Sequence, residues 1–204
     1  MSFPGLVPDP TTVLMSGRAL EEFLAAAVGE YQLITPSSPL PCFALLLGTT
    51  EGATHYVERV AFGRNARTSD PGARQEFAES IVPRFGPAYE NEVRGWWIDS
   101  RDLLRTSREA EAAGLEILGS IHMHPDWHRI GPPMERQFVL SERPTPMDQH
   151  VFANTGWPIN VVCYLERRGD AIYHALAAWT PPDDPTGQCT ALPLRVRTHA
   201  PADA

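Results

Sequence analysis

Residues 119–125 read Gly119-Ser120-Ile121-His122-Met123-His124-Pro125. The stretch from Leu115 to Met123 has the length and apolar content of a strand. On a strand, residues i and i+2 project to the same face, so His122 and His124 present both imidazoles on one side. Downstream, Thr145-Pro146-Met147-Asp148 has the spacing of a helix-opening capping box with proline in the first turn. An aspartate in that position can point its second oxygen outward. Two neutral imidazoles and one carboxylate satisfy three positions of a tetrahedral zinc and leave the fourth open, the arrangement catalytic zinc sites use.

On the N-terminal side, a helix is expected from Arg101 to Ala113, opened by Asp99 and Ser100 and stopped by Gly114, with a strand before it at Val93 to Ile98. Residues 63–92, punctuated by Pro71, Pro83 and Pro87, read as a partly irregular excursion with one short helical stretch around Gln75 to Val82. The run Cys42-Phe43-Ala44-Leu45-Leu46-Leu47 ends at Gly48 and suits a buried strand, and a second strand is expected from Thr54 to Phe62. Earlier still, Leu20, Phe23, Leu24, Ala27, Val28 and Tyr31 recur at helical spacing behind Ser16, a capping residue.

On the C-terminal side, a polar loop from Asp126 to Pro144 precedes a short helix after Thr145. Strands at Ile159 to Glu166 and Ala171 to Trp179 are expected to pair across Arg167-Arg168-Gly169-Asp170, with at most one more near Ala191 to Val196. This order predicts an α/β fold, a single mixed β-sheet sandwiched by helices. It divides the chain into a loosely ordered segment over 1–15, a metal-binding domain over 16–180 and a proline-rich tail over 181–204.

The chain has 204 residues, 43% hydrophobic and 21% charged, enough to bury one core, which excludes disorder as the whole story. A net charge of −8 repels phosphate backbones, so nucleic acid is not an expected partner. No stretch approaches the roughly 18 apolar residues of a membrane helix, and no basic-then-apolar leader opens the chain, so the expected address is cytoplasmic, with no membrane. Cys42, Cys163 and Cys189 are odd in number and scattered, which points to reduced thiols rather than disulfides or a cysteine zinc site. All 17 basic residues are arginine, so no lysine amine is present to carry a modifier.

The two motifs together resemble the signature of the JAMM metallopeptidases (the JAB1/MPN/Mov34 fold), which runs Glu, then His-x-His-Pro, then Ser-x-x-Asp. The Leu45-Leu46-Leu47-Gly48 strand end, Trp96-Trp97-Ile98-Asp99 leading into a helix, and the apolar run after Trp157-Pro158 fall in the family's order. The resemblance spans about residues 16–180 and implies the MPN/JAB, cytidine-deaminase-like architecture. It implies Zn2+ held by His122, His124 and Asp148, with Thr145 in place of the family's serine as a donor to the tetrahedral intermediate. It also implies a peptidase or isopeptidase acting at the C-terminal tail of a ubiquitin-like or sulfur-carrier protein.

Two departures from the pattern matter. The family's glutamate, which relays a proton to the leaving amine, falls on Pro41 when counted back from Gly48, and proline cannot act as a base. General acid–base help is typically worth about 10²–10⁴ in rate. Glu58 is the first candidate to substitute, with Glu135 and Glu142 behind it. Secondly, 23 residues separate His124 from Asp148, longer than the family's usual gap. In that insert Trp127, His128, Phe138, Arg129, Arg136 and Arg143 are candidates to clamp a carboxylate-rich tail, and an ordinary loop is the other reading. His128 is also a candidate to fill the open metal position, and His150 to contact Asp148 from behind. Without the glutamate, a metal-holding partner or scaffold protein is the alternative to an enzyme. A non-haem iron enzyme is the second alternative, because the same donor set suits iron(II).

Overall fold

Phe43, Leu45 and Leu47 bury their side chains on one face of a strand while Cys42, Ala44 and Leu46 bury theirs on the other. That strand, β2 (Phe43–Glu51), is covered on both faces, which is why its sequence is a continuous apolar run rather than an alternating one. The computed structural model describes residues 11–183 and 187–198. The other strands over those residues are β1 (Thr12–Ser16), β3 (Thr54–Phe62), β4 (Glu116–Pro125), β5 (Ile159–Arg168), β6 (Ala171–Trp179), β7 (Ala191–Leu192) and β8 (Leu194–Arg197).

They form one mixed sheet in the order β7-β6-β5-β4-β2-β3-β1-β8. The pairs β4–β5, β1–β3 and β1–β8 are parallel and the remainder antiparallel. Only Pro193 separates β7 on one edge from β8 on the other, so the sheet curls until its two edges nearly meet.

Helix α1 (Gly17–Leu33) lays Leu20, Phe23, Ala27 and Tyr31 against one face of the sheet, and α2 (Ser100–Ala112) sets Ala110 on the opposite face. The expected α/β class, with a mixed sheet between helices, is what the chain forms. Asp99 caps α2 by accepting from the backbone N–H groups of Arg101 and Asp102, and Gly114 follows the helix at φ +70°. Among the described residues, no helix is long and apolar enough to cross a membrane.

The structure corrects several expected boundaries. The fold does not wait for Ser16, because β1 already pairs with β3 from Thr12; residues 1–10 lie outside the described residues. Ser16 ends β1 and makes no side-chain cap to α1. Part of the expected tail returns to the sheet as β7 and β8, and residues 199–204 lie outside the described ones. Val93 to Ile98 is not a strand: its one ladder contact is an isolated bridge between Asn65 and Ile98. Gly95 at φ +79° turns the backbone there, and the Asn65 side chain takes up the Gly95 carbonyl and the Trp97 N–H that a neighbouring strand would have paired. The helical stretch before it is longer than expected, running through Pro71–Glu76, Phe77–Ile81 and Val82–Phe85.

Candidate metal centre

β4 carries His122 and His124 at the end of the strand, flanked by β2 and β5. Gly119, lower on β4, admits the parallel neighbour, since a Cβ there would lie 1.6 Å from the Ile159 carbonyl oxygen. Facing the strand end is helix α3 (Pro146–Thr155), opened by the expected capping box. Thr145 Oγ1 accepts from the Asp148 N–H at 3.2 Å and Asp148 Oδ2 accepts from the Thr145 N–H at 2.6 Å. Thr145 Oγ1 also donates to the same Oδ2 at 2.7 Å. The box therefore does two things: it starts the helix and fixes the carboxylate plane.

The result is convergence. His122 Nε2 lies 3.3 Å from Asp148 Oδ1 and His124 Nε2 lies 3.1 Å from Asp148 Oδ2, with the two Nε2 atoms 3.0 Å apart. Among the described residues this is the one group of three or more metal-capable side chains that meets, its donor atoms all within 4.8 Å of one another. His124 Nδ1 lies 2.7 Å from the Ser141 carbonyl oxygen and donates to it, which orients the ring and turns Nε2 toward His122 and Asp148. Two nitrogens and a carboxylate, one imidazole already oriented from behind, fit a borderline divalent cation such as Zn2+.

Burial works against the charge on Asp148, yet the two imidazoles beside it hold its carboxyl well below the usual carboxylate range. Burial likewise opposes the charged form of His124, but the Asp148 charge and hydrogen bonds outweigh it and its pKa is raised. Asp148 and His124 thus each favour the charged form.

A cavity of about 410 Å³ opens beside the triad, lined by all three side chains and by Thr145. Pro41, where the resemblance would place a glutamate, is also on its wall and offers a pyrrolidine rather than a carboxylate. Asp148 is the only carboxylate among the lining residues. Glu58 is not brought there; its carboxylate takes Arg197 Nη2 at 2.5 Å. Glu135 comes near but is bound by Arg94 at 2.6 Å and by the Trp127 indole N–H at 2.8 Å. Glu142 does not line the cavity, and its backbone carbonyl accepts from Trp179.

The insert divides. Trp127 and Phe138 line the cavity, whereas His128 and the three arginines do not. Arg129 pairs with Glu166 at 2.8 Å and Arg136 donates to the Gly131 carbonyl. His150 lies against Arg84 and Asn154 rather than Asp148.

Of two further polar wall residues, Tyr89 comes from the 63–92 segment the sequence leaves irregular, and Arg94 from the expected strand that does not form. Burial, with the Asp148 charge behind it, pushes the Tyr89 phenol up to about 12. The available signal was the segment's length, since long irregular stretches inside a compact domain tend to be functional.

No family model matches the chain, and no curated protein matches it. Among solved structures, it is similar to the solution structure of protein DSY2949 from Desulfitobacterium hafniense. The likeness has 16% identity and a TM-score of 0.57, and covers 93% of this chain and 96% of that one. At that identity the likeness concerns the fold alone.

Proposed function

We propose that this chain is a zinc-dependent peptidase of the JAMM type, with MPN/JAB architecture, working in the cytoplasm on the extended tail of a ubiquitin-like or sulfur-carrier protein. The observation that carries the reading is the meeting of His122, His124 and Asp148 on the wall of a cavity large enough for a peptide segment. A bound divalent cation would supply Lewis-acid polarisation of the scissile carbonyl and a lowered pKa for water.

The chain's own residues set the geometry for that chemistry. His122, His124 and Asp148 would hold the cation, the Ser141 carbonyl orients the His124 ring, and Thr145 locks Asp148 through its N–H and hydroxyl. The Thr145 proton is directed at Asp148, which makes Thr145 a positioning residue. Tyr89 stays protonated at neutral pH and is a hydrogen-bond donor, not a base. Proton transfer then lacks a protein carboxylate, and turnover is slow.

That same lack favours a second reading, a metal-holding binding module that recognises a tail without cutting it. The two are separated by incubating the zinc-loaded protein with a tail fusion and following the products by mass spectrometry. Cleavage abolished by a chelator and by Asp148→Asn supports the peptidase; an intact fusion that stays bound supports the module.

A further inference from the structure

We infer that the cavity beside the triad seats a bulky apolar side chain, such as phenylalanine or leucine, next to the bond to be cut. This rests on the peptidase reading and narrows its substrate class. The wall is built largely from rings: Phe43, Phe85, Tyr89, Trp96, Trp127 and Phe138. Phe43 and Trp96 stack with centroids 3.7 Å apart and planes 7° apart, which gives one side of the cavity a flat, stiff surface. At about 410 Å³ the space is within the range of sites that engulf whole ligand groups. Glycine has no side chain to fill such a volume and would leave the apolar wall in contact with water. An apolar side chain removes both surfaces from solvent.

Charge points the same way. Arg94 is the only arginine on the wall, and Glu135 already neutralises it at 2.6 Å. The two histidines face Asp148. Every basic side chain lining the cavity therefore meets a carboxylate of the protein itself, and none is left to fix the terminal carboxylate of a tail. Recognition falls to apolar contact. The insert extends that contact outward, because Phe138 lines the cavity while 55% exposed, and its neighbour Val139 is 72% exposed.

Binding and cleavage are read separately on the full-length protein, with and without added Zn2+. Two short acetylated peptides, identical except for phenylalanine or glycine at one position, are titrated while Trp96 and Trp127 report by fluorescence. The phenylalanine peptide is expected to bind about ten- to hundredfold tighter, the worth of one buried apolar side chain. Phe138→Ser, on an exposed loop, is expected to shrink that preference. Equal binding, preference for glycine, no binding by either peptide, or an unchanged preference in Phe138→Ser overturns the inference. If the phenylalanine peptide binds tighter yet is never cut by the zinc-loaded protein, the inference stands and the peptidase reading falls. If the glycine peptide is cut in preference, the peptidase reading stands and the inference falls.

Discussion

Asp148 Oδ2 lies 3.1 Å from His124 Nε2 and 2.7 Å from Thr145 Oγ1, so one carboxylate oxygen joins the imidazole on the sheet to the cap of the facing helix. The metal centre and the start of α3 are therefore one structure. Zinc titrated into the protein is expected to bind at one site per chain and to raise Tm, by about 4 kcal/mol of stability when free metal exceeds Kd about a thousandfold. Thr145→Val removes the hydroxyl and is expected to weaken zinc about 10- to 100-fold while costing about 1 kcal/mol of stability. Asp148→Asn is expected to weaken zinc by more than that range. Calorimetric titration of the three proteins checks both statements.

Pro41 lies outside β2 and on the cavity wall, so replacing it breaks no ladder hydrogen bond. Pro41→Glu is expected to leave zinc affinity within a few-fold and to raise kcat/KM about 10²- to 10⁴-fold, the usual contribution of a positioned general base. Steady-state kinetics on the same peptide with both proteins measures it. A faster variant with unchanged zinc binding would identify the missing carboxylate as what limits the natural protein.

The sheet and the triad were legible in the sequence because both obey local periodicities. His122 and His124 sit two apart on a strand, and Asp148 sits in a capping box that announces a helix start. Glu58 misleads because β8 lies next but one to β3 in the sheet, across β1, and Arg197 on β8 takes its carboxylate, a pairing between residues distant in sequence. Trp96 and Trp97 misled differently. Adjacent aromatics look like strand, but one stacks on Phe43 and the other packs edge-on against Phe77 across a glycine-turned loop. Neither partner is near in sequence, so no local pattern encodes the contact.

Arg67 is 2% exposed and holds that loop from inside, donating to the backbone carbonyls of Tyr89, Asn91 and Arg94 with its guanidinium 3.7 Å over the Phe77 ring. Tyr89 and Arg94 are the two polar residues this loop gives the cavity. Arg67→Met keeps the apolar stem and leaves three carbonyls without their donor. It is expected to cost about 3 kcal/mol or more, since each buried carbonyl left without a donor costs about 1–3 kcal/mol. Urea unfolding gives the stability, and the emission of Trp96 and Trp97 in the folded protein reports whether the loop has shifted. A loss under about 1 kcal/mol with unchanged emission would remove Arg67 as the anchor of the loop.

Tyr31 on α1 donates its phenol proton to Asp126 Oδ1 at 2.8 Å, and Asp126, 1% exposed, also accepts the Arg167 N–H. Burial, with the hydrogen bond and charge of Asp126, pushes the Tyr31 phenol up to about 12. A group whose folded pKa lies above its unfolded value stabilises the fold fully below the unfolded value and loses that contribution as pH rises through the folded one. The window here runs from about pH 10, the ordinary tyrosine value, to about 12. Cys42 and Cys163, whose thiols burial raises to about 12, lose stability in part of the same range, so the measurement must be a difference. Tyr31→Phe is expected to cost about 1–3 kcal/mol at pH 7, by leaving Asp126 short of a buried donor. The gap between Tyr31→Phe and the natural chain is expected to narrow between pH 10 and 12. With no lysine in the chain, lysine titration does not overlay that narrowing. Chemical denaturation of both proteins across this range tests it, and a gap that stays constant would show that the Tyr31 proton is not what stabilises Asp126.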